Sequence, residues 1–215
     1  MGIYEFAGCV VSYEPLYGLL RRRMETYRSD TERQPDITLD GTKEDYEKLR
    51  KQYPHLSIEE CEYSCAGAEF YMKLLKHQGF MIHASAVEKE GKAYLFSAPS
   101  GTGKSTHAQL WRQTFKGEPI RIINDDKPAV CLQNGVFYAC GTPFSGKTDK
   151  NENRKAPIQG LCMLHRGKTN KIQKITSGEA LPLILPQTLF YGDEEETNLL
   201  LSFLDRFLPV SYTHL

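Results

Sequence analysis

Apolar positions in the first third of the chain change period three times. Ile3 to Glu14 has strand-like stretches, and Pro15 to Tyr27 has helical spacing with a basic face at Arg21-Arg22-Arg23, read as solvated. Pro35 to Leu39 predicts a short strand. Ser57-Ile58-Glu59-Glu60 is a capping box, and the helix it opens is expected to run to about Lys76 and stop at Gly79. From Phe80 the texture changes. Phe80 to Val87 reads as one strand, Glu88 to Lys92 as a charged turn, and Ala93 to Ser97 as the returning strand. A glycine-rich loop follows, then a helix over about Lys104 to Phe115 and a buried strand over Ile120 to Ile123. Asn134-Gly135 predicts a tight hairpin between Ala129–Leu132 and Val136–Ala139. Pro157 to Leu164 predicts a strand; Ser177 to Leu189 and Glu194 to Leu208 predict helices, the first weakened by Pro182 and Pro186.

The 215 residues are enough for one large domain or two small ones. Lys plus Arg and Asp plus Glu are both 27, so the net charge is zero, against the basic excess of a nucleic-acid binder. The longest uncharged stretch, Pro128 to Gly146, is broken by Gln133, Asn134, Gly135, Gly141 and Pro143, so no membrane span is expected. Met1 to Glu5 lacks the basic flank and apolar run of a signal peptide. None of the six cysteines forms a Cys-x-x-Cys. Cys61 and Cys65, four apart, have no second pair, so buried free thiols in a reducing cytoplasm are expected.

The chemistry concentrates in Ser97-Ala98-Pro99-Ser100-Gly101-Thr102-Gly103-Lys104-Ser105-Thr106. The phosphate-loop pattern is G-x-x-x-x-G-K-[ST], and only its first glycine is replaced, by Ala98. Gly101 and Gly103 let successive N–H groups turn inward as an anion nest. The following helix adds its positive end, Lys104 a mobile charge, and the Ser105 hydroxyl a ligand magnesium accepts. Ser100, Gly101, Thr102, Gly103, Lys104, Ser105 and Thr106 are therefore the expected nucleotide contacts.

Ile122-Ile123-Asn124-Asp125-Asp126 comes one helix and a return strand after the loop. One of the two carboxylates can hold magnesium with Ser105, and the other can take a proton from a substrate hydroxyl. His83 lies on the strand before the loop, either as a core group or bonded to the acid pair or the transferring phosphate. Gly141-Thr142-Pro143-Phe144-Ser145-Gly146-Lys147-Thr148 reads either as a surface turn or as a substrate loop supplying Lys147, with Arg154 as a second cation.

In this order the residues resemble the HPr kinase/phosphorylase and ATP-dependent phosphoenolpyruvate carboxykinase superfamily, from about Phe80 to Ile175. The likeness rests on Ile82-His83-Ala84, the charged hairpin, Ser100-Gly101-Thr102-Gly103-Lys104-Ser105 and Asn124-Asp125-Asp126. It implies a mixed α/β fold with an HPr-kinase-like P-loop domain over 79–209; residues 1–78, by their own pattern, read as an N-terminal α+β accessory region. It implies ATP and Mg2+ at the loop and phosphoryl transfer to a hydroxyl. Ser105 and Asp126 would then serve the metal, Asp125 would be the base, and Lys104 and His83 would complete the catalytic set. Association of several copies follows by analogy. The chain departs from HPr kinases at Thr106, where they carry an acid, and lacks a match to their later arginine-containing signature; carboxykinase activity is not expected. The acceptor is a protein, a peptide or a small molecule. A nucleotide-sensing module without transfer is the alternative.

Val210 to Leu215 reads as the translation of a transposon-end sequencing adapter. The expectation is a chain cut at about Pro209, with a C-terminal strand and helix missing and activity in doubt for that reason.

Overall fold

The structure, a computed structural model, describes residues 1–189 and 193–209 together with the backbone of Tyr212–His214. The adapter-like residues 210–215 otherwise lie outside the described residues. A hairpin of β1 (Gly2–Phe6) and β2 (Cys9–Tyr13) turns through Ala7 and Gly8, both at positive φ. The short β3 (Ile37–Thr38) adds parallel to β2. Against this small sheet pack α1 (Gly18–Met24) and α3 (Ile58–Leu74), the latter opened by the expected Ser57/Glu60 capping box. A helix that the apolar spacing did not reveal, α2 (Lys43–Gln52), starts at a second capping box, Thr42 and Asp45.

The larger sheet is mixed and curled. Its strands are β4 (Gly79–Met81), β5 (Ala84–Lys89), β6 (Lys92–Ser97), β7 (Arg121–Asn124), β8 (Ala129–Gln133), β9 (Val136–Cys140) and β10 (Lys155–Met163). They lie in the order β4-β8-β9-β10-β6-β5-β7, and the backbone of β11 (Tyr212–His214) pairs parallel with β10. The Glu90-Gly91 and Asn134-Gly135 turns place both residues at positive φ, as a two-residue hairpin between right-twisted strands requires. The single strand expected over Phe80 to Val87 is two strands. Phe80 pairs with Val130 on β8, whereas Ala84 pairs with Ser97 on β6. The chain changes partners at Ile82-His83, which alternation of apolar side chains does not register.

Helix α4 (Lys104–Thr114) follows the glycine-rich loop and buries Ala108 against Val87 and Phe96. The first of the two late helices ends early. α5 (Ser177–Ile184) tightens into a 3-10 turn, Leu185–Gln187, carrying Pro186. α6 (Glu194–Phe207) packs Leu200, Phe203, Leu204 and Phe207 under the sheet beside Phe80 and Leu95. A second core joins the N-terminal elements to the sheet: Phe6, Leu20, Phe70 and Tyr71 surround Phe144, which is completely buried. Gly67 on α3 allows this, since a Cβ there would lie 3.0 Å from the Phe144 ring. All six cysteines are free, and four are buried. Burial pushes Cys9 up to about 12, so its thiol packs as an apolar group. Among the described residues no helix is long and apolar enough to cross a membrane.

Candidate functional site

β5 is antiparallel to both β6 and β7, and β10 is parallel to β6, so β6, β7 and β10 all end on one side of the sheet. The loops that follow them carry residues 98–103, 125–127 and 164–166. Open α/β sheets take ligands at such carboxyl ends.

The first loop has the backbone its sequence implies. Gly101 and Gly103 have φ of +77° and +116°, and a Cβ at either would meet nothing within 4 Å. Conformation, not space, demands glycine there. Gly103 caps α4 without any side-chain hydrogen bond, and no acid stands in the first turn, so no side chain caps the amides at that end. Lys104 is only 7% exposed, and its Nζ donates to the Ala98 carbonyl at 2.9 Å. Burial lowers its pKa, opposed by the negative charges of Asp126 and Asp125. The acid pair thus lies within electrostatic reach of the ammonium. Ser105 is half-buried, while Ser100 and Thr106 are exposed. Arg166, just beyond β10, donates to the Gly101 carbonyl at 2.6 Å and ties the third loop to the first.

The acid pair is set by Asn124. Its fully buried side chain accepts from the backbone N–H of Asp126 at 2.9 Å and of Lys127 at 2.8 Å, closing an Asx turn. Its amide donates to the Thr142 carbonyl at 3.1 Å. Asp125 is 3% exposed, and each of its oxygens accepts a hydroxyl: Oδ1 from Ser85 at 2.9 Å and Oδ2 from Thr148 at 2.8 Å. Asp126 lies between His83 Nε2 at 3.3 Å and Lys127 Nζ at 2.5 Å. Burial would raise the Asp126 pKa, but the His83 bond and the Lys127 ammonium overcome it and hold the carboxyl at about 2. His83 Nδ1 lies 3.2 Å from Gln187 Oε1, and its backbone N–H donates to the Gln187 carbonyl.

Residues 141–151 run beside the acids. Asp125 N–H donates to the Lys150 carbonyl at 3.0 Å, and Gly146 faces Asp126 so closely that a Cβ would lie 3.0 Å from the Asp126 Cβ. Lys147 and Thr148 form the exposed tip of a turn closed by Asp149 N–H to the Gly146 carbonyl. Arg23, expected to be solvated, holds this loop instead. It donates to the carbonyls of Ser145 and Gly146, ion-pairs with Asp149 and stacks on Tyr63. Arg154 goes elsewhere. Its guanidinium pairs with Glu88 at 2.6 Å and with Glu152. Along β5, Glu88 is three residues from Ser85, which bonds Asp125, and four from Ala84, whose N–H meets the Asp126 carbonyl, hence roughly 10–13 Å from the acids.

The structure therefore brings together Lys104, Asp125, Asp126 and His83, with Ser105 at the start of the adjoining helix and Lys147 on the neighbouring loop. It does not bring Arg154 to them. It adds Ser85, Asn124, Lys127, Thr148, Arg166 and Gln187, which the motifs left without roles. Of these Asn124 and Thr148 lay within the quoted segments and Lys127 directly follows the acid pair, whereas Ser85, Arg166 and Gln187 carried no signal. Among the described residues no group of three or more His, Cys, Asp or Glu could hold a metal alone. Magnesium binds through one or two carboxylates together with phosphate and water oxygens. An uncapped helix start, a buried lysine, a hydroxyl and two carboxylates are a donor set that fits a magnesium–nucleotide.

No protein-family model matches the chain, and no curated protein matches it in sequence. Among solved structures, the HPr(Ser) kinase/phosphatase from Coxiella burnetii is similar over 59% of this chain and 93% of its own, with a TM-score of 0.33 and 14% identity.

Proposed function

We propose that the chain binds ATP with magnesium at residues 98–106 and transfers the γ-phosphoryl group to a hydroxyl of a protein, peptide or small molecule. One arrangement carries the reading: the buried Lys104, at an uncapped helix start, follows β6, and the two acids follow β7, strands that flank β5 and end on the same side of the sheet. Phosphoryl transfer needs mostly positioning and charge stabilisation, and these groups supply both. The amides of residues 101–105 and Lys104 hold the phosphates. Ser105 and Asp126 hold the magnesium, which when bound offsets phosphate charge. His83 and Lys127 keep Asp126 ionised and aimed. Asp125 accepts the proton of the attacking hydroxyl. On this reading residues 79–209 carry the nucleotide and residues 1–78 brace the 141–149 loop through Arg23 and the Phe144 pocket. Six free thiols support a cytoplasmic setting.

The test is calorimetric titration of Mg-ATP into the wild-type chain and K104A. The lysine's charge-assisted contacts predict a loss of affinity of about tenfold or more in the variant. Equal affinity for both proteins, or none for the wild type, would refute nucleotide binding at this loop.

A further inference from the structure

General-base transfer requires a hydroxyl within about 2.6–3.2 Å of the base. Such a hydroxyl is already present, and it belongs to this chain. Thr148 Oγ1 donates to Asp125 Oδ2 at 2.8 Å, while Asp125 itself is buried. The other hydroxyl on Asp125, that of Ser85, sits on β5 with no exposure at all. Thr148 differs, being on an exposed turn tip. The loop behind it is held at two points. Phe144 is locked among Phe6, Phe70 and Tyr71, and Arg23 clamps the carbonyls of residues 145 and 146. An outside acceptor would have to displace Thr148 to reach the base.

We infer that Thr148 is a phosphorylation site of this chain, modified in cis by the nucleotide bound at residues 98–106. The inference rests on the transferase reading above. The step balances without any further reagent. The bond between the γ-phosphorus of ATP and its bridging oxygen breaks, a bond from that phosphorus to Thr148 Oγ1 forms, the Thr148 proton passes to Asp125 Oδ2, and ADP leaves. The product places a dianionic phosphate beside Asp125 and Asp126. Like-charge repulsion then favours withdrawal of the turn, which would open the base to an external hydroxyl.

The full chain is incubated with Mg-ATP and its phosphopeptides are mapped by mass spectrometry. The expected result is phosphothreonine at position 148, formed at a rate that does not change on dilution. T148S keeps the label at that position and T148V loses it. A second readout needs no nucleotide. Amide exchange across residues 145–151 is expected to be faster in T148V than in wild type and near wild type in T148S, because the hydroxyl ties the turn tip to the Asp125 carboxylate. Label at Ser85, Ser145 or any position other than 148 overturns the inference, as does a rate that rises with protein concentration, or equal exchange in T148V and T148S. Mg-ATP binding by the wild type without label at 148 overturns the inference and leaves the nucleotide reading standing. No Mg-ATP binding by the wild type overturns both.

Discussion

Arg23 Nη1 donates to the carbonyl of Ser145 at 2.6 Å, joining residues 122 positions apart. The same guanidinium reaches Gly146 and Asp149, and only 10% of the side chain remains exposed. A planar fork meets two successive carbonyls and a carboxylate at once, which an ammonium cannot reproduce. R23M is expected to lose about 1–3 kcal/mol of stability, because Asp149 loses its cation and the carbonyls of Ser145 and Gly146 keep only the Tyr63 hydroxyl and the Asp149 N–H as donors. R23K should recover less than half of that. Chemical denaturation gives the magnitude, and amide exchange over residues 145–151 gives its location; a lysine variant as stable as wild type would disprove the fork.

Acid should act on the site through Asp126. Its folded pKa is about 2, below the ordinary 3.8, so folding binds the ionised form more favourably. That contribution is complete above 3.8 and disappears as pH falls towards about 2. D126N is therefore expected to be less stable than wild type at neutral pH by about 1–3 kcal/mol. The gap should close progressively across that acid window. Parallel denaturation series at several pH values check it; a gap independent of pH would show that His83 and Lys127 do not depend on the charge.

Glu62 on α3 is completely buried and crosses to the start of α1. Its carboxylate accepts from the backbone N–H groups of Leu16 and Tyr17 and from the Tyr13 hydroxyl. Burial raises its pKa, and these bonds pull the other way. E62A leaves those donors unpaired in the interior and is expected to cost about 2–4 kcal/mol. E62Q keeps one acceptor oxygen and should cost clearly less. Thermal and denaturant unfolding of the two variants provide the comparison, and equal losses would contradict the bonding scheme.

Gly103 separates backbone demand from steric demand. Its φ of +116° is closed to ordinary side chains, yet a Cβ would meet nothing within 4 Å. G103A is expected to fold with a loss of about 1–3 kcal/mol from strain alone. A neutral effect on unfolding would mean that the loop relaxes into another conformation without cost.

Much of this architecture follows from neighbours in the chain. Glu90-Gly91 and Asn134-Gly135 turn their hairpins, Ser57 and Glu60 begin a helix, and Gly101-x-Gly103-Lys104 shapes a loop, all through interactions spanning a few residues. Those rules act on backbone dihedrals and nearest hydrogen bonds, so the residue order alone determines them. Thr42 and Asp45 obey the same rule, but their helix was missed in the sequence because its apolar stripe is sparse. Contacts between distant segments have no such local signature. The strand break at His83 arises because Ile82 and Ala84 find different partners, not because the residues there disfavour extension. Arg23 and Arg154 are equally basic in sequence, yet tertiary packing sends one to the 145–149 loop and the other to Glu88. The pairing of Thr148 with Asp125 likewise exists only because the sheet curls and the Phe144 anchor holds its loop against the acids. Sequence determined which groups the chain possesses and how each short segment bends. The packing of the two cores decided which of those groups meet, since only burial against a distant surface fixes a long side chain in one direction.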